Sequence, residues 1–506
     1  MRAPTRPARR TAPACGIAVA LLLTAPVAHA QPARPTDRTG SLVLVGGALK
    51  DDNTAVYGEI VKRAGGPAAR IGVITAASVP ESQDPDADDP DLCSNSACNG
   101  AYYAGLFEKH GAADAQWIPI DLDHIANADS DAVVAQVNSM TGFFFGGGDQ
   151  YRYLTTLLHG DEHTDSKVLA AIRAKLARGA VVSGSSAGAQ IASGPDMVSG
   201  GESYEGLRDG SAPGYFDDPT RLGHIPEGGF GFLRSGLVDT HTGAYGREGR
   251  ALRLAADTGH DRVYALEENT ALVVDAPGTR DERLSVLGTN GVAILDLRHT
   301  HTRTTKAGWS LHGARYTYLT DGDRYTARTW SAHPAPGKKP VTADDTSPVP
   351  ANTDVFYSAA NPGGKPYSFR TTTRDLAVRT QRTAVATTFE SGPRFTVTLT
   401  KPHGFRALTG APAPSRHSSD SRSPSRHGEP RPPRRSDRPT AGRTGTHDRA
   451  GNVTAPERRP PPWPSHPSPT GQRPAHPPSY GSPHTSDTRD FPMSKQPGAV
   501  NSAWLP

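Results

Sequence analysis

Between residues 41 and 183 the chain repeats one pattern that few folds accommodate. Short runs that are apolar throughout their interior alternate with segments of helical spacing. The runs are Ser41-Leu-Val-Leu-Val-Gly46, Arg70-Ile-Gly-Val-Ile-Thr75, Gly142-Phe-Phe-Phe-Gly146 and Ala180-Val-Val-Ser183, with a shorter strand expected at Trp117 to Ile120. Helices are expected at Thr54 to Ala64, Ala101 to His110, Ala132 to Ser139 and Ser166 to Arg178. A strand apolar on both faces must be covered on both faces, so the pattern predicts an α/β fold with a parallel sheet flanked by helices. Ligands of such sheets bind where strands end at their carboxyl edge. Gly46-Gly47, Thr75, Gly146 to Gln150 and Gly184 to Gly188 all fall there.

Beyond this core the pattern changes. Val263 to Leu266, Ala271 to Val274, Leu284 to Leu287 and Val292 to Leu295 are separated by Gly, Pro, Asn and Asp, and read as antiparallel strands closing a domain over residues 41–335. Val355-Phe-Tyr, Tyr367-Ser-Phe, Ala384-Val-Ala and Phe395 to Leu399 read as a small accessory β-rich module, residues 340–403. From 405 to 506 Pro, Ser, Arg, His and Gly dominate, and disorder is expected because too little apolar surface is available to offset chain entropy.

The first 30 residues read as an export signal: Arg2, Arg6, Arg9 and Arg10, an apolar run from Gly16 to Ala25, then Ala28-His29-Ala30. Residues 31–40 follow as a linker, and a secreted, extracellular protein is expected. No other segment is apolar enough for a membrane span. Cys93 and Cys98 remain after signal removal and are expected to pair in an oxidising compartment, free thiols being the alternative. The formal net charge of +4 is too mild to argue for nucleic acid. The acidic loop from Asp84 to Asp91 lacks the Gly and Glu of a calcium loop and reads as solvated.

Gly184-Ser185-Ser186-Ala187-Gly188 fits G-x-S-x-G between an expected strand and an expected helix, the setting in which a central Ser is exposed as a nucleophile. The competing reading is a helix cap. The Ala187 N–H is the natural first oxyanion donor, with Gly148 as the second. A serine nucleophile needs a base and a group that orients it. His241 in Val238-Asp239-Thr240-His241 and one carboxylate of Glu267-Glu268 are candidates, each weak alone. His299 and His301 provide too few ligands for a metal, so no cofactor or metal is expected.

Taken in order, Gly146-Gly147-Gly148-Asp149-Gln150, Gly184 to Ala189, Asp239-Thr240-His241 with Arg250 and Arg253-Leu254, and Glu267-Glu268-Asn269-Thr270-Ala271 resemble the successive motifs of the cyanophycinases, within the S51 serine peptidases that include the aspartyl dipeptidases. The resemblance spans about residues 41–330. It implies a fold like that of class I glutamine amidotransferases, with Ser186 as nucleophile, His241 as base, Glu268 orienting the base, and Gln150, Asp239, Arg250 and Arg253 lining the substrate pocket. The implied substrate is cyanophycin, a polyaspartate with arginine on each β-carboxylate, cleaved to β-Asp-Arg dipeptides. Other isoaspartyl or acidic peptides are the alternative substrates, a non-catalytic secreted binding protein is the alternative class, and homodimerisation stays open. The sequence departs from the family at Thr240, where Gln is usual. The stretch from His241 to Arg250 is longer than usual, Arg247 being the nearest counterpart of a pocket arginine. Insertions at 84–99 and 206–231 are placed to reshape the pocket.

Overall fold

The computed structural model describes residues 39–306, 308–410 and the backbone of 499–503. The expected export signal, most of the linker and nearly all of the expected disordered tail lie outside the described residues. From Thr39 onward the described chain forms one compact unit.

Five parallel strands form its centre: Ser41–Val45, Arg70–Ile74, Asp114–Trp117, Gly142–Phe145 and Val181–Ser185. Named by first residue, their spatial order is Asp114, Arg70, Gly142, Val181, Ser41. Four antiparallel strands continue the sheet beyond Ser41: Thr270–Asp275, Arg283–Gly288, Arg324–Thr326 and Ser331–His333. The sheet is therefore mixed, with a parallel core. Successive strand residues serve opposite layers. Leu42, Leu44, Phe143, Phe145 and Val182 pack with the helices Asp131–Ser139, Gln150–Leu157 and Lys167–Ala177. Val43, Val45, Phe144 and Val181 pack with Thr54–Arg63 and Ser96–Lys109. This two-sided burial is the physical reason the runs are apolar without alternation.

Two local expectations shift. The strand expected at Trp117 to Ile120 lies at Asp114–Trp117, because register with Arg70–Val73 fixes it. Asp114 and Gln116 are tolerated there because the strand is at the sheet edge. An unexpected helix, Gln150–Leu157, follows the glycine loop and is capped by Asp149, whose side chain accepts from the Tyr151 N–H.

A second sheet pairs Leu237–Asp239 parallel to Arg262–Leu266, which continues antiparallel through Gly291–Asp296 to Arg315–Thr320. In the C-terminal segment Thr383–Thr387 and Thr396–Thr400 pair antiparallel, but Tyr367-Ser-Phe opens a helix, Ser368–Val378, not a strand. Its buried positions Phe369, Thr372, Thr373, Leu376 and Ala377 have helical spacing over the full length, which the triplet alone conceals. Phe369, Leu376, Ala386 and Val397 share one apolar cluster with Leu252, Ala255, Val263 and Tyr316.

Candidate active site

The carboxyl ends of the central strands converge on one loop. After the Ser41 strand, successive carbonyls receive three N–H groups from distant segments: Val45 from Ser186 at 3.0 Å, Gly46 from His241 at 2.7 Å, and Gly47 from Asn269 at 2.8 Å. Three backbone bonds thus gather a serine, a histidine and a Glu-Asn turn that lie far apart in the chain.

Ser186 stands between strand Val181–Ser185 and the short helix Ala187–Gln190, with φ 55° and ψ −119°. Few side-chain-bearing residues hold such a conformation. The turn is tight enough that a Cβ at Gly188 would lie 2.0 Å from the Phe145 carbonyl oxygen. Ser186 is at the helix cap position, yet its side chain makes no capping bond. Its Oγ lies 2.8 Å from His241 Nε2, and His241 Nδ1 lies 2.7 Å from Glu268 Oε1. With the proton on Nδ1, the ring donates to Glu268 and accepts from the Ser186 hydroxyl, a hydroxyl–imidazole–carboxylate relay.

His241 sits at φ 53° just after strand Leu237–Asp239, its side chain only 12% exposed. Burial pushes its pKa below the ordinary value and the Arg247 charge pushes the same way, against the hydrogen bond it donates to Glu268. The ring is therefore neutral, and able to take a proton, to lower pH than a free imidazole. Gly47, at φ 104°, makes room for it: a Cβ there would stand 2.1 Å from His241 Cε1. The Tyr245 ring stacks on the imidazole at 4.8 Å and 7°. Among the described residues the Ala187 and Gly148 N–H groups have no hydrogen-bond partner, and Gly147 borders Ser186.

The peptidase family S51 model matches residues 102–280, a span that contains Ser186, His241 and Glu268. A cyanophycinase from Nostoc sp. is 29% identical over 296 residues, 57% of this chain and 85% of the relative. A cyanophycinase from Synechococcus elongatus is 29% identical over 300 residues, 57% of this chain and 80% of the relative.

Over residues 102–280 the chain is S51-like.

Two solved structures are also similar: a peptidase from an acI-B1 Actinobacterium (18% identity, 57% of this chain and 98% of that one, TM-score 0.38) and a putative peptidase E from Listeria monocytogenes (11%, 50% and 99%, TM-score 0.31). The S51 match and the cyanophycinase relatives support a peptidase, hence a hydrolase.

The other residues expected around the site divide. Gln150 is buried and donates through Nε2 to the Val198 and Ser199 carbonyls. Asp239 and Arg250 meet each other. Two bonds, Nε–Oδ2 at 2.9 Å and Nη2–Oδ1 at 2.6 Å, join them, and Arg250 also donates to the Gly201 carbonyl. Burial alone would raise the Asp239 carboxyl, but the Arg250 charge and bonds outweigh it and hold the group below the usual carboxylate range. Arg253 is not brought to the triad. It faces Asp257 on its own helix, the Leu207 carbonyl and the Trp309 ring, because one helical turn from the buried Arg250 points to another neighbour.

Arg247 lies beside the site, bonded to the Thr240 carbonyl, its guanidinium 4.8 Å from the Tyr245 ring centre. Burial and the Arg250 charge push its pKa down to about 10. The Thr240 hydroxyl, where the family carries Gln, is buried without a partner among the described residues.

Glu267 points away from Glu268, to the Tyr318 hydroxyl at 2.6 Å and to Arg370. Asn290 Nδ2 donates to the Glu268 carbonyl, and the Tyr367 N–H to Gly243. Tyr367 and Arg370, from the C-terminal helix, thus brace the loops carrying Glu268 and His241. Sequence reasoning missed both, since they lie about a hundred positions downstream and outside the family match. Cys93 and Cys98 form a disulfide at the end of the acidic loop. Among the described residues no cluster of three or more His, Cys, Asp or Glu is placed to hold a metal, and no helix is long and apolar enough to cross a membrane.

Proposed function

We propose that the protein is an exported serine peptidase that hydrolyses cyanophycin to β-Asp-Arg dipeptides through an acyl-enzyme. The observation that carries the serine mechanism is the unbroken chain of short bonds from Ser186 through His241 to Glu268. Ser186 Oγ attacks the amide carbonyl carbon while His241 Nε2 takes the hydroxyl proton. Glu268 holds the ring in the tautomer that accepts at Nε2 and stabilises the imidazolium formed. The Ala187 and Gly148 N–H groups receive the oxyanion, each worth about 2.7–4 kcal/mol. The imidazolium protonates the leaving amine, the C–N bond breaks, and a water activated by His241 releases the acyl group. The basic start and Ala28-His29-Ala30 support export.

One observation favours a second substrate class. Asp239, suited to a substrate guanidinium, is already bound by Arg250. Arg247 leaves the pocket with cationic character, which suits an acidic or isoaspartyl peptide. Mass analysis of products from cyanophycin and from Asp-X and β-Asp-X dipeptides separates the two. The Ser186→Ala variant is expected to lose turnover of either substrate; undiminished hydrolysis ends the serine mechanism.

A further inference from the structure

A cleft of about 1100 Å³ opens behind the Glu267–Glu268 turn, between strands Gly291–Asp296 and Arg315–Thr320 and the C-terminal residues 370–410. Asn290 and Arg370 form its inner wall, so the cleft and the triad lie on opposite sides of one brace. Most of its outer wall comes from sequence beyond the family match.

The wall is cationic in excess. Arg298 is matched by Asp296, Lys338 by Asp323 and Arg370 by Glu267. Arg315, Arg374 and Arg406 are exposed in the cleft with no side-chain hydrogen bond or ion pair among the described residues, Arg315 sensing only the Asp296 carboxylate that Arg298 already binds, and His299 and His403 stand with them. Three unmatched guanidinium forks lining one concavity suit a ligand that presents several carboxylates in succession. Single-stranded nucleic acid fits less well, because it needs bare aromatic faces for its bases. Trp330 of this wall is half-buried and already covered by the guanidinium groups of Arg262 and Arg298, 3.5 and 3.8 Å from its centre. The chain after Gly410 is rich in Arg and His, so it does not complement the charge.

We propose that this cleft is a second binding site, separate from the triad, for an aspartate- or glutamate-rich polypeptide segment. It would hold an acidic polymer on the molecule independently of cleavage.

The test uses the full chain carrying Ser186→Ala, so that turnover does not interfere, and a fluorescently labelled oligo-aspartate read by anisotropy. Saturable binding is expected, weakening as salt rises. Adding Arg315→Ala, Arg374→Ala and Arg406→Ala together is expected to weaken it about tenfold or more. Arg→Lys at the same positions, which keeps the charge but not the fork, is expected to lose less affinity than the Ala substitutions, which separates charge from a folding defect. In the chain with Ser186 intact, the triple Ala substitution is expected to leave dipeptide hydrolysis unchanged. Equal affinity with and without the three arginines, no binding of the oligo-aspartate, or stronger competition by single-stranded DNA than by unlabelled oligo-aspartate would each overturn the proposal. Intact binding without any dipeptide hydrolysis would instead count against the proposed function alone.

Discussion

Ser186 combines a conformation that resists a side chain with a side chain that makes no use of the helix beside it. Holding a serine at φ 55°, ψ −119° costs about 1–3 kcal/mol relative to a relaxed residue. A cap would offset that with a bond to a helix N–H, and none is made. The hydroxyl instead meets His241, so the strain is retained where the proposed chemistry would occur. Ser186→Gly should therefore raise the melting temperature, by roughly the equivalent of 1 kcal/mol or more, while removing activity. A destabilised glycine variant in calorimetry would show that the hydroxyl is structural. The neighbouring charge makes a second prediction at this scale. Arg247 disfavours the imidazolium form of His241. Taking that charge away in Arg247→Met favours protonation, so the His241 pKa rises. The acidic limb of the kcat/KM–pH profile should then move to higher pH, and a limb that stays in place would mean that Arg247 is too well screened to matter.

At the scale of elements, the site is an arrangement of strand ends, and Gly47 shows how little tolerance it has. In Gly47→Ala the new methyl would stand about 2 Å from the ring of His241, and the backbone there sits at φ 104°. Either the ring or the loop must move, and a displacement near 1 Å costs about a hundredfold in rate. We expect kcat/KM to fall by that order while substrate binding changes little; a variant with native kcat would show that the ring has another place to go. The same loop explains what could be read from the sequence. Continuous apolar runs fix a parallel sheet, and a parallel sheet fixes its functional edge, so Gly46-Gly47, Gly148 and Ser186 were legible together. Glu267 and Glu268 were not separable by pattern, only by the family resemblance, since adjacent residues at a turn point opposite ways only once Tyr318 and Arg370 are in place. Arg250 and Arg253 were equally ambiguous: the family resemblance put both at the pocket, but the partners Asp239 and Asp257 decided where each points.

At the scale of the whole molecule, the C-terminal segment is tied to the family segment by packing as well as by hydrogen bonds. Phe356 presents its carbonyl to Gly246 so closely that no Cβ fits there. Phe369 is 2% exposed, stacks near Phe356 and tilts against Tyr316 of the second sheet. The next residue of the same helix, Arg370, reaches the Glu267 carboxylate. A helix seated by a phenylalanine on one side and bracing the catalytic turn on the other cannot loosen without consequence for both. Emptying the Phe369 site with Ala should cost about 3–5 kcal/mol. Because the apolar cluster is shared, that loss should appear as one cooperative transition moved to lower denaturant, with unchanged slope. At temperatures where the variant is still folded, kcat should fall more than KM rises, since the loosened helix disturbs the support of Glu268 more than the substrate pocket. Two separate transitions, with the triad still active after the first, would mean that residues 340–403 are an appendage whose contacts the catalytic layer does not need.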